Sequence, residues 1–115
     1  MVDSTEELAI AEKYLKEMLE ADNTGNFDLY TKRYEEKYLV NFSREVFLND
    51  IKCMNERNGL NIGYEFLGTL RNYNFNGLDI FRFVWKGIYE KRDAVIEIAV
   101  YKKEGNWHVI ESVVH

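Results

Sequence analysis

Glu111 is the residue in this sequence whose type and spacing most suggest chemistry. It lies between Val109 and Val113, which share its side of the chain if the segment is a β-strand. A carboxyl group held on that apolar side is removed from water, which raises its pKa and suits it to general acid or base catalysis. The alternatives are a structural ion pair with a helix cation such as Arg33 or Arg57, or a strand end that is open to water.

Aromatic residues make up 15% of the chain and form a second candidate set. Their rings are large apolar bodies, and tyrosine adds a polar group, which suits them to line a pocket for a flat apolar ligand. Core packing is the alternative role for the same side chains. The predicted ligand-binding residues are Tyr30, Tyr34, Tyr64, Phe66, Phe83, Trp85, Tyr89 and Trp107.

Other kinds of site are not indicated. Cys53 is the only cysteine, which excludes an intramolecular disulfide and a cysteine-rich metal site. His108 and His115 lack the clustered partners that a metal ion needs, so we predict no metal. The sequence contains neither a glycine-rich phosphate loop nor a Gly-x-Ser-x-Gly motif, and we expect no cofactor.

The elements that position these residues divide near Gly59. Before it, apolar residues recur at helical spacing, and after it they alternate with polar residues as in strands. A chain of 115 residues is the size of one domain. We therefore predict a single domain over 1–115, with a helical part at 1–59 and a β-meander at 60–115.

Local signals predict three helices. The first begins at Ser4, which has the spacing of a capping box, and ends at 23–25. A shorter second helix covers about 26–34. Ser43 caps the third helix, which 58–59 ends. The predicted core face of the third helix consists of Phe47, Leu48, Ile51 and Met54.

Four strands follow from Leu60, joined by tight turns that we place at 76–77, 91–92 and 104–105. These turns set the pairing between neighbouring strands. They place Phe66 opposite Gly87, Trp85 opposite Ile98, and Glu111 opposite Ile98 on the next strand. In this arrangement Glu111 is the one acidic residue on the apolar face.

Gly63, Gly68 and Gly87 lie inside predicted strands, where glycine typically marks a bulge or a bend. We therefore expect a curved sheet. The predicted fold is α+β, with three N-terminal helices packed on the concave face of a curved four-stranded antiparallel sheet. Such a cone-like roll leaves room for a pocket that the helices do not fill.

Three stretches, 25–30, 43–59 and 104–109, together with the order of elements, resemble the nuclear transport factor 2-like superfamily, the cystatin-like α+β roll. Members of that superfamily include ketosteroid isomerases, polyketide cyclases, dehydratases, transport adaptors and toxin-immunity proteins. The resemblance implies the fold above. Fold alone does not select one of these functions.

The resemblance also implies site roles. Isomerase-type members use a tyrosine of the first helix as an oxyanion donor, together with two acids. Tyr14 matches the tyrosine, Glu111 loosely matches the acid in the sheet, and Asp28 lies early in the second helix near the remaining position.

Three functions remain open on this basis. The leading hypothesis is a non-catalytic binding domain with an apolar, aromatic-lined pocket for a small apolar ligand. The first alternative is an isomerase- or dehydratase-like enzyme that uses Glu111 and Tyr14. The second is a protein-interaction domain, such as a toxin-immunity protein, that uses the acidic first helix. Residues 1–25 hold seven acidic and two basic residues.

The charge and hydropathy of the chain limit the kinds of partner that we expect. The net charge of −5 argues against binding to nucleic acid, which requires a basic surface. No apolar segment approaches the roughly 20 residues that span a bilayer, so we expect no membrane partner. The first residues are polar and acidic, unlike a secretory signal. Together with the single cysteine, these features predict a cytoplasmic protein.

The outer sheet face, which we define as the side turned away from the helices, has an apolar centre. We therefore predict a homodimer that pairs through this face, with Arg82 of one copy near Glu97 of the other. The apolar centre consists of Thr69, Val84, Ile88, Val95, Ala99, Ile110 and Val114.

Overall fold

The computed structural model describes residues 5–115 and has an α+β fold, as expected. Three α-helices, α1 (Thr5–Thr24), α2 (Phe27–Thr31) and α3 (Arg44–Asn58), precede the sheet, and a 3₁₀ turn spans Glu36–Tyr38. The strands are β1 (Asn61–Phe75), β2 (Leu78–Tyr89), β3 (Asp93–Lys103) and β4 (Asn106–Val114). They form an antiparallel sheet in the order β1-β2-β3-β4, so the sheet is open and β1 and β4 are its edges.

The second helix is shorter than expected. Asn26 is its N-cap, and its Oδ1 accepts the Leu29 N–H at 3.1 Å. The helix ends before Arg33 because the following backbone pairs with the free edge of β4. The Val109 N–H donates to the Arg33 carbonyl at 2.8 Å, and Tyr34 forms a parallel bridge with Val109. The expected N-cap of the first helix, Ser4, lies outside the described residues.

The third helix begins as predicted, since the Ser43 Oγ accepts the Val46 N–H at 3.2 Å. Its core face is narrower than expected. Phe47 is fully buried, whereas Leu48 is 46% exposed, which corrects its assignment to the core. The Phe47 ring packs against three other rings that belong to Phe27, Tyr30 and Phe42.

Two of the three predicted turns are confirmed. Asn76 and Gly77 have φ values of 52° and 83°, and Glu104 and Gly105 have the same pair of values. Positive φ at both positions is typical of a type I′ turn, whose twist matches that of the flanking strands. The strands therefore pair directly on either side of these two-residue loops.

The turn expected at 91–92 is wrong. The β2–β3 ladder ends at Ile88 and Asp93, and the three residues 90–92 connect the two strands. This loop is tied to the end of α3, since the Lys91 N–H donates to the Asn58 carbonyl at 2.8 Å. A contact between elements distant in sequence thus helps to hold this loop.

The strand registers shift accordingly. Trp85 lies opposite Ile96 rather than Ile98, a displacement of two residues that leaves every side chain on its expected face. Between β1 and β2, irregularities in β1 place Phe66 opposite Trp85 rather than Gly87. Two of these irregularities adjoin Gly63 and Gly68, where bulges were expected.

The register of the last strand, β4, corrects the predicted position of Glu111. From its turn to Val109, the predicted register holds. Beyond Val109 a bulge adds one residue to β4, so Glu111 lies opposite Ala99 and Ser112 lies opposite Ile98. Because successive residues of a strand alternate sides, this extra residue moves Glu111 off the apolar face and places Ser112 there. Glu111 is exposed.

The core lies between α1 and the inner sheet face, the side opposite the outer face. α1 contributes a stripe at helical spacing, and β2, β3 and β4 contribute the alternating residues of their inner sides. These buried residues include Ala11, Leu15, Met18, Leu19, Phe83, Trp85, Ile96, Ile98, Val100 and Val109. None of the helices among residues 5–115 combines the length and apolarity needed to cross a membrane.

A smaller cluster lies on the outer face, where Ile80, Ala99 and Tyr101 are buried. The segment after α2 covers it, since Tyr38 packs edge-on against the Tyr101 ring. The Tyr101 hydroxyl also donates to the Glu35 carboxylate. The chain itself therefore covers part of the face that we predicted to be an interface.

Candidate functional site

A cavity of about 320 Å³ lies between α1, α2, α3 and the end of β4. We call it the Asp22 cavity. Its size is within the range of small-molecule sites, roughly 300–1,000 Å³. Its apolar wall includes Met18, Phe42, Phe47 and Ile51, and its polar wall includes Asp22, Tyr30, Asp50, Arg57 and Ser112.

Asp22 is the most unusual group in this wall. It is only 7% exposed, and its carboxyl has no hydrogen-bond or ion-pair partner among residues 5–115. Burial raises the pKa of Asp22 to about 7, and the negative charge of Asp50 adds to the increase. Asp22 also lies in the last turn of α1, where the helix dipole disfavours a negative charge.

Three hydroxyl groups meet beside the cavity. The Ser112 Oγ lies 2.9 Å from the Tyr30 hydroxyl and 2.6 Å from the Tyr34 hydroxyl. Burial raises the pKa of both tyrosines, so both are protonated at neutral pH. The three hydroxyl groups carry three hydrogens, and two of these form the two hydrogen bonds between them. One hydrogen is therefore left to donate to another acceptor. Only the bulge in β4 brings Ser112 to this position.

The chain matches no protein-family model and no curated protein sequence. Its function must therefore be inferred from the geometry of its own site.

The two predicted catalytic residues do not meet. Tyr14 is buried, and its hydroxyl donates to the Trp107 carbonyl at 3.4 Å, while the Arg33 guanidinium lies 4.8 Å from the centre of its ring. Glu111 borders a second cavity, of about 340 Å³, that Tyr14 does not line. Arg33, one suggested partner of Glu111, forms a bidentate ion pair with Glu17 instead, with both N–O distances at 2.9 Å.

Of the predicted ligand-binding residues, Tyr30 lines the Asp22 cavity and Tyr34 lines the second cavity beside it. The structure brings these two rings together in a stack, with 6.1 Å between their centroids. Phe83, Trp85 and Tyr89 are buried in the core beneath α1.

The remaining three predicted residues lie elsewhere on the sheet. Tyr64 donates its hydroxyl to the Glu12 carboxylate at 3.3 Å. Phe66 is 45% exposed on the edge strand β1. Trp107 packs edge-on against Phe81 near the last turn. None of these three is part of the wall of the Asp22 cavity.

The sequence carried a signal for the acidic residues that we missed. Asp22 lies seven residues after Leu15 and four after Met18, so it continues the apolar stripe of α1. An acid on such a stripe is a candidate for burial. Asp50 lies three residues after the buried Phe47 on α3 and faces the same cavity.

Cys53 also differs from expectation. The side chain of this single cysteine would ordinarily pack as a small apolar group, but it is exposed and contributes to the cavity wall. Among residues 5–115, no three His, Cys, Asp or Glu side chains form a group that could hold a metal ion.

Proposed function

We propose that this protein is a non-catalytic binding domain that takes a small organic molecule into the Asp22 cavity. The observation that carries the proposal is the Asp22 carboxyl, which is buried in the cavity wall without a partner. Buried polar groups in folded proteins are nearly always hydrogen-bonded, because an unsatisfied group loses its interaction with water. A ligand in the cavity supplies the missing partner.

The composition of the wall supports binding rather than nucleophilic catalysis. Small-molecule sites are typically apolar and aromatic with a few convergent polar groups, as in this cavity. Ser112, a half-buried hydroxyl in the cavity wall, is bonded to Tyr30 and Tyr34 rather than to a general base. A serine without an adjacent base is a weak nucleophile.

One observation favours the isomerase- or dehydratase-like alternative. The pKa of Asp22, raised to about 7 by burial, is matched to proton transfer at neutral pH. In that reading Asp22 replaces Glu111 as the acid, and the hydroxyls around Ser112 replace Tyr14 as donors. An Asp22→Asn substitution then abolishes turnover, whereas in a binding domain it changes affinity alone.

The fold supports membership of the nuclear transport factor 2-like superfamily as a further proposal. Three helices precede a four-stranded meander, and a cavity lies between the helices and the end of the sheet. The irregularities beside Gly63 and Gly68 favour the curvature of a cone-like roll.

We also retain the homodimer as a proposal, with a narrower interface. Val95 is 43% exposed on the outer face, beside the half-buried Val84 and Ile88. Glu97, expected to pair across the interface, is bonded to His115 of its own chain at 2.8 Å. The apolar surface available to a second copy is therefore centred on Val95.

The binding function is tested by screening small aromatic fragments against isotope-labelled protein by NMR. We expect at least one fragment to shift the signals of cavity residues. The Ile51→Trp substitution places a large ring in the cavity wall, and we expect it to lower the affinity for the bound fragment at least tenfold. Val40→Trp is the matched control, because Val40 is 73% exposed and outside the wall. The proposal fails if no fragment shifts the cavity signals or if both variants bind equally.

A further inference from the structure

We propose that the ligand of the Asp22 cavity is a compact organic cation, an amine with an aromatic or apolar body whose ammonium group pairs with Asp22. This inference rests on the proposed binding function and names the class of ligand.

Three features make the ionised carboxylate of Asp22 unfavourable in the free protein. It is buried without a partner, it lies at the negative end of α1, and Asp50 adds a second negative charge at the same cavity. A neutral residue of similar size avoids all three. A bound cation compensates all three, because it pairs with the carboxylate and offsets both negative contributions.

The aromatic part of the wall fits the same ligand. The Tyr30 ring lies 5.6 Å from Phe42 and 4.8 Å from Phe47, measured between centroids. Aromatic faces attract cations through the ring quadrupole, and they also bury the apolar body of an amine. Aromatic rings beside carboxylates therefore recognise both halves of such a molecule.

The protein does not neutralise these carboxylates by itself. Arg57 is the basic residue of the wall, but among residues 5–115 it forms no ion pair with Asp22 or Asp50. Its Nε donates to the Asn58 Oδ1 at 3.3 Å instead. An external cation thus has two acceptors without a competing internal ion pair.

The other titratable groups that face Asp22 carry no charge at neutral pH. Tyr30 of α2 and Tyr34 both have a pKa that burial raises. Burial likewise raises the pKa of Tyr89 of β2 to about 12. Apart from Asp50, Arg57 and the Cys53 thiol of α3, Asp22 therefore faces neutral hydroxyls. The charge of the cavity depends on the aspartates and Arg57.

The state of Asp22 makes amine binding pH-dependent. The pKa of Asp22 in the free protein is raised to about 7 by burial, and an ammonium group binds the ionised carboxyl. Below pH 7, binding must release a proton, so the affinity falls by up to roughly tenfold for each pH unit. Above pH 8 the affinity is constant while the amine stays charged.

The test compares three probes with the same ring: benzylamine, benzyl alcohol and benzoate. We expect benzylamine to bind at least tenfold more tightly than benzyl alcohol at pH 8, and benzoate to bind most weakly. Asp22→Asn reduces the affinity for benzylamine to that for benzyl alcohol. Asp79→Asn removes the same charge from an exposed position outside the cavity and leaves the affinity unchanged. Calorimetry measures each affinity, and NMR locates the site.

The outcomes separate this inference from the binding function. If benzyl alcohol or benzoate binds in the cavity as tightly as benzylamine, the inference is wrong and the binding function stands. If benzylamine binds Asp22→Asn as tightly as the wild type, Asp22 is not its partner and the inference is again wrong. If no probe shifts the cavity signals, the cation inference is wrong, and the fragment screen decides the binding function separately. A thermal melt confirms that each variant is folded.

Discussion

Asp22 couples ionisation to folding at the scale of a single residue. Its pKa in the folded protein is raised by burial to about 7, well above that of an aspartate in an unfolded chain. Between about pH 4 and pH 7, the Asp22 carboxyl therefore keeps its proton in the folded state, whereas it has lost this proton in the unfolded chain. The stabilising contribution of this proton is complete below about pH 4 and is lost as the pH rises through 7.

We predict that Asp22→Asn becomes progressively more stable than the wild type as the pH rises from 4 to 8. One pKa unit corresponds to about 1.4 kcal/mol, so the gain across this range is about 4 kcal/mol. Urea unfolding at each pH measures the difference. Asp79→Asn, which changes an exposed acid, serves as the control and shows no such trend. A stability difference that is independent of pH would contradict the assigned burial of Asp22.

At the scale of elements, the helices differ in how they are held. α1 buries a full stripe of core residues, including Leu15 and Leu19, against the sheet. α3 has one fully buried apolar residue, Phe47, which packs among the rings of α2 and its flanking segments. Since α3 forms one wall of the Asp22 cavity, the packing of Phe47 holds that wall in place.

We expect Phe47→Ala to lower the free energy of unfolding by about 3 kcal/mol, because it removes a buried ring and leaves a cavity. Leu48→Ala is the matched control. Its parent side chain is 46% exposed, so its loss costs less than about 1 kcal/mol. Urea denaturation of both variants measures the difference. Equal losses would show that Leu48 is part of the core, as the sequence pattern had indicated.

At the scale of the whole molecule, the two edges and the two faces of the sheet differ in how far other segments of the chain cover them. The segment around Arg33 and Tyr34 pairs with β4, and Tyr38 covers part of the outer face. The apolar surface around Val95 remains exposed. The proposed assembly through the outer face therefore uses the region around Val95.

We predict a dimer in size-exclusion chromatography with light scattering, and dissociation to monomers in Val95→Arg. A buried arginine at the centre of a two-fold interface faces its own copy, which adds repulsion to the loss of apolar contact. Val40→Arg introduces the same charge at an exposed site outside the sheet and leaves the dimer intact. A monomeric wild type, or a dimer that persists in Val95→Arg, would contradict the proposed interface.

Local chemistry alone determined much of the architecture. The change of periodicity near Gly59 separated helices from strands, and Ser43 marked the start of α3. The pairs at 76–77 and 104–105 marked two turns that the structure confirms. Each of these features depends on backbone preferences and hydrogen bonds within a few residues, so the sequence carries it directly.

Only the tertiary structure decided the site. The bulge that places Ser112 rather than Glu111 on the inner sheet face lies within β4, where no single residue type indicates a bulge. The loop before β3 is bonded to the end of α3. The spacing of Asp22 places it on the apolar stripe of α1, but the cavity beside it and the approach of Asp50 depend on how α3 packs. These outcomes depend on contacts between residues far apart in the chain, which neither composition nor local spacing encodes.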